Sequence, residues 1–222
     1  MDVSFLIIAL QDYTRQVNFI NSLETHYSYE ILVSSDQEIE NLQNCTFFED
    51  KGTSVSSLNS LYKNSRGRFI VTLTGVIMPP ANVFDMIKKL EIKDDFGNDF
   101  LITGPTSECG GSPFIPVWAQ KMAGLSRRPN IIRWPVASRK TIDKYFDGVI
   151  FAQSFNHHYC DNWIGTYSGL IGKEVFEDPQ FRIKTLPHNS VTKHDEHDRV
   201  VYEKLCSLFK NHKKYDFNVR EQ

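Results

Sequence analysis

The N-terminal half of the chain alternates between short runs of branched apolar residues and stretches with helical spacing. That alternation constrains the fold more than any other feature. Val3 to Leu10 (VSFLIIAL) is almost continuously apolar. Such a run suits a strand covered on both faces, as in a parallel sheet whose crossover helices pack on each side. A helical pattern follows, with Val17, Ile20 and Leu23 on one face, and then a second strand at Tyr29 to Val33. Thr53 to Lys63 sets Val55, Leu58, Leu61 and Tyr62 at helical spacing, and Arg68 to Leu73 reads as the next strand. Pro79-Pro80 opens a helix carrying Val83, Phe84, Ile87 and Leu90. Proline is tolerated there because the amide it lacks has no helical partner in a first turn. Phe100 to Thr103 is a further short strand. Strands that alternate with helices pair in parallel through right-handed crossovers. Ligands of such sheets bind at the carboxyl ends of the strands. The loops after Leu10, Val33 and Leu73 are therefore expected to line one cleft.

The second half is less regular. Gly104 to Pro135 is rich in Gly, Pro and Ser and carries aromatics without periodicity. A long irregular segment within a compact domain is usually functional or mobile. Beyond it, Ser138 to Tyr145 reads as helix, Gly148 to Phe151 as extended, and Asp161 to Ile171 as a helix closing on Gly172. Asp195 to Phe209 is the last helix, with Val201, Leu205 and Leu208 expected on its buried face. Asp195, Glu196 and Asp198 occupy its first turn, where carboxylates suit the helix dipole and solvent. No internal repeat or linker divides the chain. The expectation is one domain over residues 1–210, with halves at 1–103 and 104–210 and a polar tail at 211–222.

Composition narrows the function classes. The chain has 222 residues, 41% of them hydrophobic, enough to build one core. Its 25 basic residues face 27 acidic ones, which argues against a general nucleic-acid surface. Arg127-Arg128 and Lys210 to Lys214 read as solvated faces. The four cysteines, Cys45, Cys109, Cys160 and Cys206, lie far apart and read as reduced thiols of a cytoplasmic protein. The apolar run from Phe5 is too short to cross a membrane and lacks a basic leader. No transmembrane segment and no nucleic-acid partner are expected.

One ordered series of residues resembles a known family. Asn59, Gly67, Ile70 and Leu73 match in type and spacing a segment of the family 2 glycosyltransferases, which have the GT-A fold, and Phe69 stands for that segment's aromatic. Glu30 to Asp36 (EILVSSD) is similar to that family's second strand end. Ser138-Arg139-Lys140 to Phe146-Asp147 is similar to its block before the acceptor site. Asp161-Asn162-Trp163-Ile164 with Gly172-Lys173 resembles its acidic motif. The resemblance covers roughly residues 1 to 200 as an ordered series. It implies a single α/β domain with a mainly parallel central sheet flanked by helices. It also implies transfer of a sugar, with inversion, from a UDP- or GDP-type donor to a saccharide, lipid-linked or protein acceptor.

The same resemblance assigns roles. Asp161 stands where the general base would be, since a carboxylate must take the proton of the attacking hydroxyl. Ala9, Gln11, Asp36, Asn59, Thr74 and Val76 stand on the nucleotide-sugar side. His158, Trp118 and Trp163 stand on the acceptor side, and His188, 27 positions beyond Asp161, where a metal-binding histidine is often found. The family's Asp-x-Asp normally holds a divalent cation, manganese or magnesium, against the diphosphate. Here Thr74-Gly75-Val76 replaces it, which argues against the usual metal site. Arg66, Arg139 and Lys140 are the candidate cations to meet the diphosphate instead. Simpler roles compete: Asp36 and Asp161 could cap helices, Trp163 could pack in the core, and the His194 to Asp198 cluster reads as a solvated helix start. A second reading keeps the fold without catalysis, as a carbohydrate- or protein-binding module.

Overall fold

A computed structural model describes residues 1–9, 12–50, 52–74, 77–107, 113–157, 159–173, 175–183 and 195–211. The elements in chain order are β1 (Val3–Ile8), α1 (Thr14–Asn21), β2 (Tyr29–Ser35), β3 (Cys45–Glu49), α2 (Ser54–Asn64), β4 (Phe69–Thr74) and α3 (Val83–Asp95). Then come β5 (Ile102–Ser107), α4 (Val117–Met122), β6 (Val136–Ser138), α5 (Arg139–Tyr145), α6 (Cys160–Leu170), β7 (Phe176–Ile183) and α7 (Asp195–Asn211).

The strands form one seven-stranded sheet in the order β3-β2-β1-β4-β6-β5-β7. β1 lies parallel to β2 and β4, β2 to β3, and β5 to β7; β6 alone runs antiparallel, to both β4 and β5. This is the mainly parallel α/β sheet that the alternation predicts. All six residues of β1 are buried, as a strand covered on both faces requires. Val3, Phe5 and Ile7 join the core under α1 and α3, while Leu6 and Ile8 join the opposite core with α2 and α6. Each such side chain, fully buried, contributes about 1.5–3 kcal/mol from leaving water. Gly67 lets β4 begin close to β1: a Cβ there would stand 2.4 Å from Ser4 N, and Gly67 N donates to Ser4 Oγ at 2.7 Å.

Several expectations need correction. No helix follows β2; the chain turns through Asn41 and Asn44, both at positive φ, into β3, a half-exposed edge strand. The irregular middle contains the rest of β5 and the short α4, and β6 begins directly after it. Gly148 to Phe151 is a buried loop rather than a strand, its backbone taken up by a side chain of α2. β7 is a strand despite Pro179, because it lies at the sheet edge, where a missing amide costs no ladder bond. On α7 the buried face runs through Val201, Tyr202, Leu205, Cys206 and Phe209, and Leu208 is exposed. Asp198 is not solvated: it is fully buried and accepts from Asn156 N and His157 N, both at 2.8 Å. Among the described residues no helix is long and apolar enough to cross a membrane.

Candidate active site

From β1 the chain moves outward to β2 and β3, and then returns to place β4 on β1's other side. The carboxyl ends of β1 and β4 thus flank a switch in strand order, where open sheets bind ligands. A cavity of about 180 Å³ opens there, lined by Ile8 and Thr74 from the strand ends, Ser54 and Val55 from the start of α2, and Cys160 and Asp161 from the start of α6. Arg133, Trp134, Phe151 and His157 complete its wall.

Side-chain bonds to backbone fix that wall. Asn59 is buried in α2; its Oδ1 accepts from Ile150 N (3.0 Å) and Phe151 N (3.2 Å), and its Nδ2 donates to Phe151 O (2.7 Å). The next loop is held by Asp198 and by His157, whose Nδ1 lies 2.9 Å from Ser54 Oγ. The chain then enters α6 through Tyr159, which has a left-handed backbone (φ 58°). Asp161 follows in the first turn, where the helix dipole favours a carboxylate. Its Oδ1 accepts from Asn162 N (2.8 Å) and Nδ2 (2.9 Å). Among the described residues Oδ2 takes no hydrogen bond, which leaves it able to accept a proton from a ligand hydroxyl.

Charge around the cavity is arranged in a short series. Arg133 is the one Arg or Lys among the described lining residues, and its Nη1 lies 2.9 Å from Glu177 Oε1 on β7. The Glu177 side chain is only 5% exposed. Burial pushes its carboxyl above the ordinary range; Arg133 pulls it back, and the Asp161 charge raises it further. A guanidinium held by a buried acid is a fixed positive group, suited to meeting an anion. Thr74 Oγ1 accepts from Trp134 Nε1 at 3.2 Å.

The structure unites some of the expected residues and separates others. Thr74 and Asp161 share the cavity. Ala9 is buried just past β1, with its amide donating to Ser34 O at 2.9 Å. Asp36 is exposed just past β2; no helix follows, so the capping role does not apply to it. Asn59 spends its amide on Ile150 and Phe151, so it positions the wall instead of facing a ligand. Trp163 is 0% exposed and packs against Tyr167, Tyr202 and Phe209, which makes it core and not acceptor surface. Trp118, on α4, is 36% exposed. Gln11, Val76, His158 and His188 lie outside the described residues. The three expected cations stand at the wrong end of the sheet. Arg66 pairs with Glu30, Arg139 binds Gly67 O and Ser65 Oγ, and Lys140 pairs with Asp94, all beside the amino ends of β1, β2 and β4. Arg133 and Glu177 were missed. Their only signal was charge within stretches that lack periodicity.

The metal that the family resemblance implies does not fit the described donors. Among the described residues no three His, Cys, Asp or Glu side chains group to hold an ion, and the Thr74 hydroxyl already accepts a bond. A second cavity, of about 640 Å³, lies at the other end of α6, beside Gly169, Gly172, Arg127, Arg128, Phe114 and Phe176. No carboxylate or imidazole stands among its described lining residues.

No protein-family model and no curated protein matches the sequence. Solved structures do match it. S. aureus TarS 1-349 in complex with UDP-GlcNAc aligns with 94% of this chain at a TM-score of 0.62 and 13% identity. This chain covers 66% of that solved 1-349 chain, and 44% of the chain in a further S. aureus TarS structure. The same protein in complex with UDP aligns with 92% of this chain, over 71% of its own length, at a TM-score of 0.53 and 13% identity. The mannosyltransferase PcManGT from Pyrobaculum calidifontis, in complex with GDP-Man and Mn2+, aligns with 94% of this chain and 62% of its own length, at a TM-score of 0.52 and 10% identity. At these identities the likeness shows the fold: the chain has the GT-A-like α/β architecture of glycosyltransferase structures.

Proposed function

We propose that this chain transfers a sugar, with inversion, from a UDP- or GDP-type donor to an acceptor hydroxyl, and that Asp161 is the general base. The observation that carries the reading is the meeting of Thr74, Arg133 and Asp161 in one cavity at the switch between β1 and β4. The fold neighbours, solved with UDP-GlcNAc, UDP and GDP-Man, support it. In this scheme the acceptor O–H proton passes to Asp161 while the oxygen bonds to the anomeric carbon. The bond from that carbon to the diphosphate oxygen breaks, and the nucleoside diphosphate leaves with the electron pair. Arg133, positioned by Glu177, meets the charge that grows on the leaving group. Ala9, Asp36 and Thr74 form the nucleotide side. No step is assigned to a metal.

A non-catalytic binding module is the second reading, favoured by Thr74-Gly75-Val76 in place of Asp-x-Asp. Transfer or donor-hydrolysis assays with the sugars of UDP and GDP separate the two. Asp161→Asn is expected to lower turnover by at least roughly 100-fold, the scale of lost general-base catalysis, while nucleotide binding by calorimetry stays within error. Unchanged turnover in that variant removes Asp161 from the base role. Absence of any turnover in the wild type, with nucleotide bound, selects the binding module.

A further inference from the structure

We propose that the cavity of about 640 Å³ at the far end of α6 is a second ligand site, for an organic anion with an apolar body, and that its occupation is felt at Arg133. The volume lies within the span of small-molecule pockets, roughly 300–1,000 Å³. Three cationic side chains line it, Arg127, Arg128 and Lys173, and no acid stands among its described lining residues. Like charges gathered on one concave wall repel one another, and a bound anion relieves that repulsion.

The wall selects the ligand chemistry. Arg128 Nε donates to Ile115 O at 2.9 Å, and its guanidinium lies over the Phe114 ring, 5.4 Å from the centroid. A guanidinium held in this way presents a fixed fork, which suits a phosphate or a carboxylate. Lys173 Nζ lies 3.4 Å from Asp99 Oδ1, while Lys144 holds the other oxygen of that acid. One carboxylate thus serves two lysines, and the excess of positive charge remains. Phe114 and Phe176 are 42% and 56% exposed, and Leu125, Pro129 and Val175 add apolar surface to the same lining. Exposed rings beside cations favour a ligand that buries an apolar body and leaves its charge on the arginines.

The two cavities share three elements. Cys160 and Asp161 line the first at the start of α6, and Gly169, Gly172 and Lys173 line the second at its other end, roughly 16 Å away over 11 residues. Residues 127–130 line the second, and Arg133 and Trp134, in the same segment, line the first. Val175 and Phe176 line the second, and Glu177, the next residue, holds Arg133. The joint between these elements is tight. A Cβ on Gly165 would stand 1.9 Å from Asn130 O, and one on Gly169 would stand 2.8 Å from Pro129 Cγ. Asn130 Nδ2 donates to Val175 O at 3.0 Å. Elements packed this closely shift as units instead of deforming. A ligand seated on residues 127–130 and Phe176 therefore biases the Arg133–Glu177 pair.

Calorimetric titration of the full chain with naphthyl phosphate and naphthoate tests the site. Naphthalenemethanol and inorganic phosphate each carry half of the chemistry. At least one of the two aromatic anions should bind saturably, and the neutral alcohol and inorganic phosphate at least roughly tenfold more weakly, the scale of a lost charged hydrogen bond. Ser126→Trp fills the cavity from an exposed position. That variant and Arg127→Gln/Lys173→Gln should each weaken binding at least roughly tenfold, with the far-UV circular dichroism of the folded chain retained. The bound anion should also shift the NMR resonance of the Arg133 Nε–H group, identified by its loss in Arg133→Gln/Glu177→Gln. That double variant should still bind the anion, because the head group rests on the other cations. No saturable binding of either anion, equal affinity for the neutral alcohol, or unchanged affinity in Ser126→Trp overturns the site. Loss of binding in Arg133→Gln/Glu177→Gln equal to that in Ser126→Trp overturns it too, since the anion then sits in the Asp161 cavity. Saturable binding with no shift at Arg133 overturns the coupling. None of these readouts uses a nucleotide, so their failure and the failure of the transferase reading are separate results.

Discussion

Arg133 and Glu177 meet at 2.9 Å across the gap between the loop before β6 and the edge strand β7. Burial raises the Glu177 carboxyl above the ordinary value of 4.5, and the pull from Arg133 does not fully offset it. The native state therefore binds more protons than the unfolded chain just above the ordinary glutamate range, and stability falls as pH rises through that window. Glu177→Gln removes this titration. Its stability relative to wild type should climb as pH rises from about 4.5, the unfolded value, and level off once Glu177 is ionised in both states. Urea unfolding of both proteins from acid to neutral pH checks this; a stability difference independent of pH contradicts it. The site was partly legible at this scale. Thr74 could be placed because it closes a recognisable apolar strand, and Asp161 because of its position in the ordered series of family-like residues. Asn59 matched the motif, yet its amide serves the backbone of Ile150 and Phe151, a contact 91 and 92 positions away that no local pattern records. Arg133 could not be chosen over Arg66 and Arg139, because only the folded sheet shows which of them stands at the carboxyl ends.

Among the elements, β1, β2, β4, α2, α3 and α6 were readable because each is buried on a defined face. Double-sided burial gives continuous apolar runs, and one-sided burial gives helical spacing. β3, β6 and β7 were not readable. β6 has three residues, too few for a period, and β3 and β7 are half-exposed edges. α6 carries the site at one end and depends on Gly165 in its middle. A Cβ there would stand 1.9 Å from Asn130 O, in a segment tied to β7's approach by Asn130 Nδ2 and Val175 O (3.0 Å). On an exposed helix Gly→Ala stabilises by about 1 kcal/mol. Here the contact is with backbone and cannot rotate away, so Gly165→Ala should destabilise by about 1–3 kcal/mol, the cost of overpacking. A rise in thermal midpoint for that variant would mean that the segment at Asn130 yields freely.

For the molecule as a whole, two cores clamp the sheet and leave one switch point, between β1 and β4. The elements around it come from distant parts of the chain: two strand ends, the starts of α2 and α6, and the loop holding Arg133. Ligand binding to such a site should couple to global stability, since it ties these parts together. The account assigns the anion of a nucleoside diphosphate to Arg133 and not to a metal held by Asp-x-Asp. Calorimetric titration of UDP and GDP with a chelator present tests that assignment most directly. The comparison is with the double variant Arg133→Gln/Glu177→Gln, which removes the cation without leaving its buried acid unpaired. The account predicts that wild type binds at least one nucleotide without added metal and that the double variant binds it at least roughly tenfold more weakly, the scale of a lost charged hydrogen bond. Absence of binding to wild type, or equal affinity in the two proteins, would contradict it.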